Sequence, residues 1–96
     1  MRAPTLLTVC VRWPSLVEEV FPHWSRAAVA ACLDEVVGPD WMEAALPEAL
    51  LRLVARGLLR SPDEDPRDTF IAIRDFYLDR LWIRRAAALA HQEDAQ

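Results

Sequence analysis

The sequence predicts a mainly α fold: a compact bundle of about four helices with an N-terminal extended segment. Three observations carry that expectation. Apolar residues recur at three- and four-residue spacings through most of the chain. Ser, Asp or Pro, the residues that start helices, stand ahead of those stretches. Glycine occurs only at Gly38 and Gly57, which excludes Gly-rich phosphate loops and most tight-hairpin β architectures. The length of 96 residues fits a single domain spanning 1–96, since domains commonly run to about 100–200 residues.

Residues 1–14 are expected to form an extended arm or a strand. The segment TLLTVCVRW at 5–13 is rich in β-branched residues, with Thr8, Cys10 and Arg12 alternating. Pro14 ends it. Ser15 with Glu18 three residues on is a capping box, in which each side chain satisfies the other residue's free amide. The helix it opens should stop near Phe21, because Pro22 removes a donor. Ser25 is the next N-cap. Over 26–37, Val29, Cys32, Leu33, Val36 and Val37 share one helical face. Gly38 before Pro39 is a stop. Asp40 with Glu43 repeats the capping-box pattern and predicts a short helix through Leu46. Pro47 suits the first turn of a helix over 47–57, with Leu50, Leu51, Leu53 and Val54 inward and Gly57 as its cap.

Two readings stand for residues 58–73. In one, 58–60 and 69–73 are strands of a short winged-helix-like hairpin around the acidic segment SPDEDPRD. In the other, Asp65 is an N-cap, Pro66 takes the first helical position, and one long helix runs to about Ala90. Residues 74–90 are helical in both, and 91–96 are expected to fray. On that helix Leu78, Leu81, Trp82 and Leu89 share one face, while Phe76 and Ile83 project from nearly the opposite side. A helix apolar on two sides needs partners on both.

The chemistry on offer is sparse. The formal net charge is −4, whereas free-standing nucleic-acid binders are usually basic. His23 and His91 are the only histidines, and no nucleophile or orienting carboxylate is spaced to make either a general base. Cys10 and Cys32 lack the paired spacing of zinc ligands. They read as free thiols, with Cys32 a small hydrophobe on the inner face of its helix. Asp63, Glu64, Asp65 and Asp68 lack the central Gly and terminal Glu of a calcium loop, so they read as solvated and helix-start charge. No catalytic residue, metal site, cofactor or small-molecule substrate is expected. No apolar run approaches the roughly 20 residues of a membrane span, and no signal peptide is read at the N-terminus. A cytoplasmic protein is the expectation.

What remains are surfaces. Arg52, Arg56 and Arg60 fall at spacings of four and would make a basic stripe on one helix, with Glu48 placed to pair with Arg52. Arg80 and Arg84 form a second pair beside Arg85. Tryptophan occurs four times, and Trp13, Trp24 and Trp41 stand at helix boundaries or beside prolines, where partial exposure is expected. Trp is enriched at interface hot spots.

Residues 50–73, LLRLVARGLLRSPDEDPRDTFIAI, resemble the end of a winged-helix domain of the MarR type. Leu53, Val54, Gly57, Leu58, Leu59 and Arg60 match the close of its recognition helix, and Pro62, Asp63, Asp65 and Arg67 its charged wing. The resemblance implies a strand after the wing, Arg52 and Arg56 toward the major groove, and Arg67 toward the minor groove. The helix lacks the Ser, Thr, Asn or Gln side chains that read bases, and the segment 61–68 is net negative. The leading expectation is therefore a non-catalytic regulatory or adaptor module acting by protein–protein contact, as a homodimer or as a subunit of a larger complex. Its expected contact residues are Phe76, Trp82, Ile83, Arg52, Arg56 and Arg60. A DNA-binding regulator using Arg52, Arg56 and Arg67 is the alternative.

Overall fold

In the computed structural model, which describes residues 4–94, the chain forms α1 (Leu6–Arg12), α2 (Pro14–Val20), α3 (Arg26–Val36), α4 (Leu46–Ala55) and α5 (Pro66–Asp94). No strand forms among the described residues. Extended pairing is confined to one antiparallel bridge between Thr5 and Ala45. Beside it the Leu46 amide, which has no side-chain cap, donates to the Pro4 carbonyl at 2.7 Å. The mainly α bundle is what the sequence folds into.

Two local expectations are corrected. Residues 6–12 are helical rather than an extended arm, and only Pro4 and Thr5 lead in as extended chain. The Thr5 hydroxyl accepts from the Thr8 amide at 3.2 Å and the Thr8 hydroxyl accepts from the Thr5 amide at 3.3 Å, a capping box built from two threonines. Helix also turns Leu6 and Val9 to the same side, where both are buried; a strand would separate them onto opposite faces. The arm's residues 1–3 lie outside the described residues. The second correction concerns Asp40 and Glu43, which cap nothing. Residues 39–43 form tight turns, in which the Glu43 and Ala44 amides donate to the Asp40 carbonyl. The Asp40 carboxylate is taken instead by Arg52, twelve residues on, at 2.7 and 3.1 Å.

Other boundaries follow the residues that predict them. Ser25 caps α3 by accepting from the Ala28 amide at 3.1 Å. α2 stops at Phe21, but it starts at Pro14, and the Ser15 side chain does not cap it. Gly57 takes φ +77° after α4. There its amide and that of Leu58 reach back to the carbonyls of Val54 and Leu53, which closes the helix. Gly38 takes φ +136°, and a Cβ there would meet Asp40 Oδ1 at 3.1 Å and the Arg52 guanidinium at 3.3 Å.

For 58–73 the long-helix reading is the one that forms, and the hairpin does not. Asp65 Oδ1 accepts from the Arg67 amide at 2.9 Å, and its carbonyl accepts from the Thr69 amide at 3.1 Å. Pro66 contributes a fixed φ and no surplus donor at the first position. Once helical, Thr69, Phe70 and Ile73 point the same way, and all three are buried. A strand would turn Phe70 away from the other two. The helix runs on to Asp94, past the fraying expected from His91; residues 95 and 96 lie outside the described part.

The core lies where α5 packs on α2 and α3, and α1 on α2. It is built from Leu6, Val9, Val20, Phe21, Cys32, Leu33, Val36, Leu53, Phe70 and Ile73, with Trp41 and Leu59 closing it from the loops. Aromatic rings extend it: Phe21 meets Phe70 edge-on at 6.2 Å and Trp24 at 5.2 Å, and Trp24 meets Tyr77 at 5.5 Å. The long dimension is nonetheless 60 Å against 28 and 21 Å, and the radius of gyration is 15.2 Å. A compact chain of this length would have about 12–13 Å. The excess comes from α5, which at 29 residues is about 43 Å long and outruns the bundle.

Candidate interaction surface

α5 divides into two halves. From Thr69 to Tyr77 its inward residues are buried or half-buried, and from Leu78 to Gln92 every residue is exposed. Leu78, Leu81, Trp82, Ile83 and Leu89 are 42%, 41%, 68%, 65% and 56% exposed. So much apolar surface on one helix is unusual for a protein that works alone.

The direction of these residues follows from the helical period of about 100° per residue. Thr69, Phe70, Ile73 and Tyr77 define the side facing the core. Leu78, Trp82 and Leu89 lie almost opposite, and Leu81 lies to one flank. Asp75 and Arg85 belong to the same outward stripe, and Ile71 continues it inward, half-buried against the core. The alternating four–three spacing 71, 75, 78, 82, 85, 89 marks all of them in the sequence. Of the expected second contact side, Phe76 turns partly toward the core and Ile83 points sideways. Phe76 packs on the protein's own core and under the Arg80 guanidinium, 5.1 Å from the ring centroid. Phe76 is thus half-buried at the edge of the core, with its remaining surface on an open groove. Ile83 stays exposed because it lies beyond the end of the bundle.

The outer half is braced rather than loose. Glu35 on α3 accepts from Arg80 at 3.0 Å and from Arg84 at 3.2 Å. In the inner half, Arg74 donates to the Val20 carbonyl at the end of α2 at 3.0 Å. None of these partners was foreseen, since each lies more than forty residues away in sequence.

The basic stripe expected from Arg52, Arg56 and Arg60 does not form on one helix. Gly57 ends α4, and Arg60 stands in the following loop, where its amide donates to Glu64. Arg52 is a clamp: it grips Asp40 and, as expected, Glu48 at 2.9 Å. This holds the Asp40 carboxyl below the usual carboxylate range, chiefly through the hydrogen bond from Arg52. Arg56 donates to the Glu35 carbonyl at 3.0 Å. Arg67 pairs with Glu19 at 2.9 Å. Of the tryptophans, Trp13 and Trp24 are partly exposed as expected, but Trp41 is buried, with no protein partner for its indole N–H.

The remaining reactive groups stay apart. Cys32 is buried and Cys10 half-buried, and both are free thiols. Burial pushes Cys10 up to about 11 and Cys32 up to about 12, which suppresses the reactive thiolate. His23 sits exposed in a turn with φ +66°. An open groove of about 440 Å³ beside the inner half of α5 is lined by Leu58, Ile71, Ala72 and Phe76 together with Asp68, Asp75 and Asp79. A cleft of about 230 Å³ lies between Leu6, Val9, Leu46, Leu50 and Phe70, rimmed by Asp63 and Glu64. Neither wall carries a histidine or a thiol. Among the described residues no three His, Cys, Asp or Glu side chains gather as a metal site, and no helix is long and apolar enough to cross a membrane.

Comparison of the chain with known protein families, with curated proteins and with solved structures gives no match.

Proposed function

We propose that this protein is a non-catalytic interaction module, a small regulatory or adaptor protein of the cytoplasm that works by protein–protein contact along the outer half of α5. The observation that carries the reading is the projecting apolar surface of Leu78, Leu81, Trp82, Ile83 and Leu89. A rigid helix bearing a central Trp among aliphatic residues is the anatomy of a binding hot spot. The separation of histidines and thiols from both clefts supports a role without chemistry. DNA binding has less support, because Arg52, Arg56 and Arg67 are each engaged by carboxylates or a carbonyl of the protein itself.

The test compares the wild-type chain with the Leu78→Ser, Trp82→Ser double variant, by light scattering and as affinity baits at low salt in a host extract. The expected result is a mass above the monomer, or a retained protein, that the double variant loses. A wild-type monomer whose retained proteins are the same as the variant's would overturn the reading. Retention of duplex DNA that steepens with falling salt and ignores the substitutions would replace it with the DNA-binding one.

A further inference from the structure

We propose that the occupant of the outward face of α5 is the same face of a second copy, running antiparallel and in a register centred on residue 80. The proposal rests on the interaction-module reading above and names its partner. The stripe Ile71, Asp75, Leu78, Trp82, Arg85 and Leu89 alternates four- and three-residue steps. That is the heptad spacing of a coiled-coil seam, with Asp75, Trp82 and Leu89 at one core position and Ile71, Leu78 and Arg85 at the other. The stripe is about 80° wide and drifts about 20° per heptad, as a left-handed pair of helices requires. It spans about 27 Å; from Asp75 outward its residues are exposed, while Ile71 at its inner end is half-buried against the core.

The order of residues along the seam is self-complementary. Reversing the helix about residue 80 places Leu78 against the other copy's Trp82, Leu89 against the exposed part of Ile71, and Arg85 against Asp75, whose carboxylate also accepts from the adjacent Arg74 at 3.2 Å. Each apolar residue meets an apolar one, and each charge meets its opposite, twice over by the two-fold symmetry. A parallel pair would set Asp75 against Asp75 and Arg85 against Arg85, like charges across a seam. The wider charge pattern agrees with the antiparallel choice. Asp68, Asp75 and Asp79 line an open groove along α5, and the other copy's Arg85 would lie beside it. Near the axis, Leu81 meets Leu81 on one edge and Asp79 approaches Asp79 on the other.

The test is a charge exchange read by sedimentation velocity, with circular dichroism as the check on folding. The expected result is a wild-type dimer that Asp75→Arg and Arg85→Asp each weaken roughly tenfold or more, since either substitution sets like charges at two symmetric sites. Mixing the two variants should restore the dimer as a heterodimer, and the double variant should restore it alone. Asp79→Asn should tighten it several-fold. A wild-type dimer indifferent to the exchanges, or not rescued by mixing, overturns the register. A wild-type chain that is monomeric at high concentration overturns self-pairing. In that case, loss of a host protein on Leu78→Ser, Trp82→Ser leaves the interaction-module reading standing, whereas retention unchanged removes both.

Discussion

Phe70→Ala measures whether α5 is anchored where the structure places it. The ring is fully buried and stands edge-on to Phe21 at 6.2 Å. Removing a phenyl group forfeits about 2 kcal/mol of transfer free energy. A residual hole of roughly 80 Å³ costs about 2 kcal/mol more at 24 cal/mol per Å³. The lost edge-to-face contact contributes about 1 kcal/mol. The expected destabilisation is therefore about 4–5 kcal/mol. Small domains of this size have roughly 5–14 kcal/mol in total, so the variant should be marginal. Urea unfolding followed by far-UV circular dichroism reads this directly. With a slope of about 1–1.5 kcal/mol per molar, the midpoint should fall by about 3 M or more, unless the variant is already unfolded in water. Phe76→Ala is the control: half-buried and under Arg80, it should cost only about 1–2 kcal/mol. A Phe70→Ala loss below about 1.5 kcal/mol with the slope unchanged, or one equal to that of Phe76→Ala, would refute the packing argument.

Three further outcomes are expected. His23→Gly should raise the urea midpoint by the equivalent of up to about 1 kcal/mol, because His23 holds φ +66°, where a Cβ is penalised; an unchanged or lower midpoint would contradict strain there. Arg52 lowers the pKa of Asp40, so the ion pair stabilises the fold fully above the unfolded carboxylate value of about 4 and loses that effect as pH falls through the lower folded value. Arg52→Met should therefore flatten the stability-versus-pH curve below about pH 4, and an identical acid limb in the variant would count against the clamp. Cys10 and Cys32, raised to about 11 and about 12 by burial, should react slowly with a thiol reagent near pH 8 in the native protein and fast in guanidinium; two thiols modified at once without denaturant would contradict it.

What was legible in the sequence was local. Ser25, Gly57, Pro47 and the pair Asp65 and Pro66 each act on backbone groups within a few residues, so their effect is readable without knowing the fold. The same holds for the Glu48 to Arg52 pair and for the apolar face of α3. Failures came where a distant residue decided the outcome. Thr8, Val9 and Val11 read as strand until the burial of Leu6 and Val9 overrides the propensity of β-branched residues. Asp40 looked like a cap but is claimed by Arg52. The arginines looked free because Glu19 and Glu35, which hold Arg67, Arg80 and Arg84, stand on other helices. For the candidate surface, the apolar members Leu78, Trp82 and Leu89 were legible from spacing. The inwardness of Phe76 was not, since periodicity distinguishes two faces of a helix without saying which one meets the core.

α5 contains no glycine, and its only proline is at the first position. It has no hinge between the half set in the bundle by Phe70 and Ile73 and the half that projects. The bearing of the outer face is thus fixed by the inner one, as the hands of a clock are set by their spindle. One alanine inserted after Asp75 would swing Leu78, Trp82 and Leu89 by about 100° while leaving Phe70 and Ile73 in place, so whatever grips the rod at its free end is aimed by the core at the other.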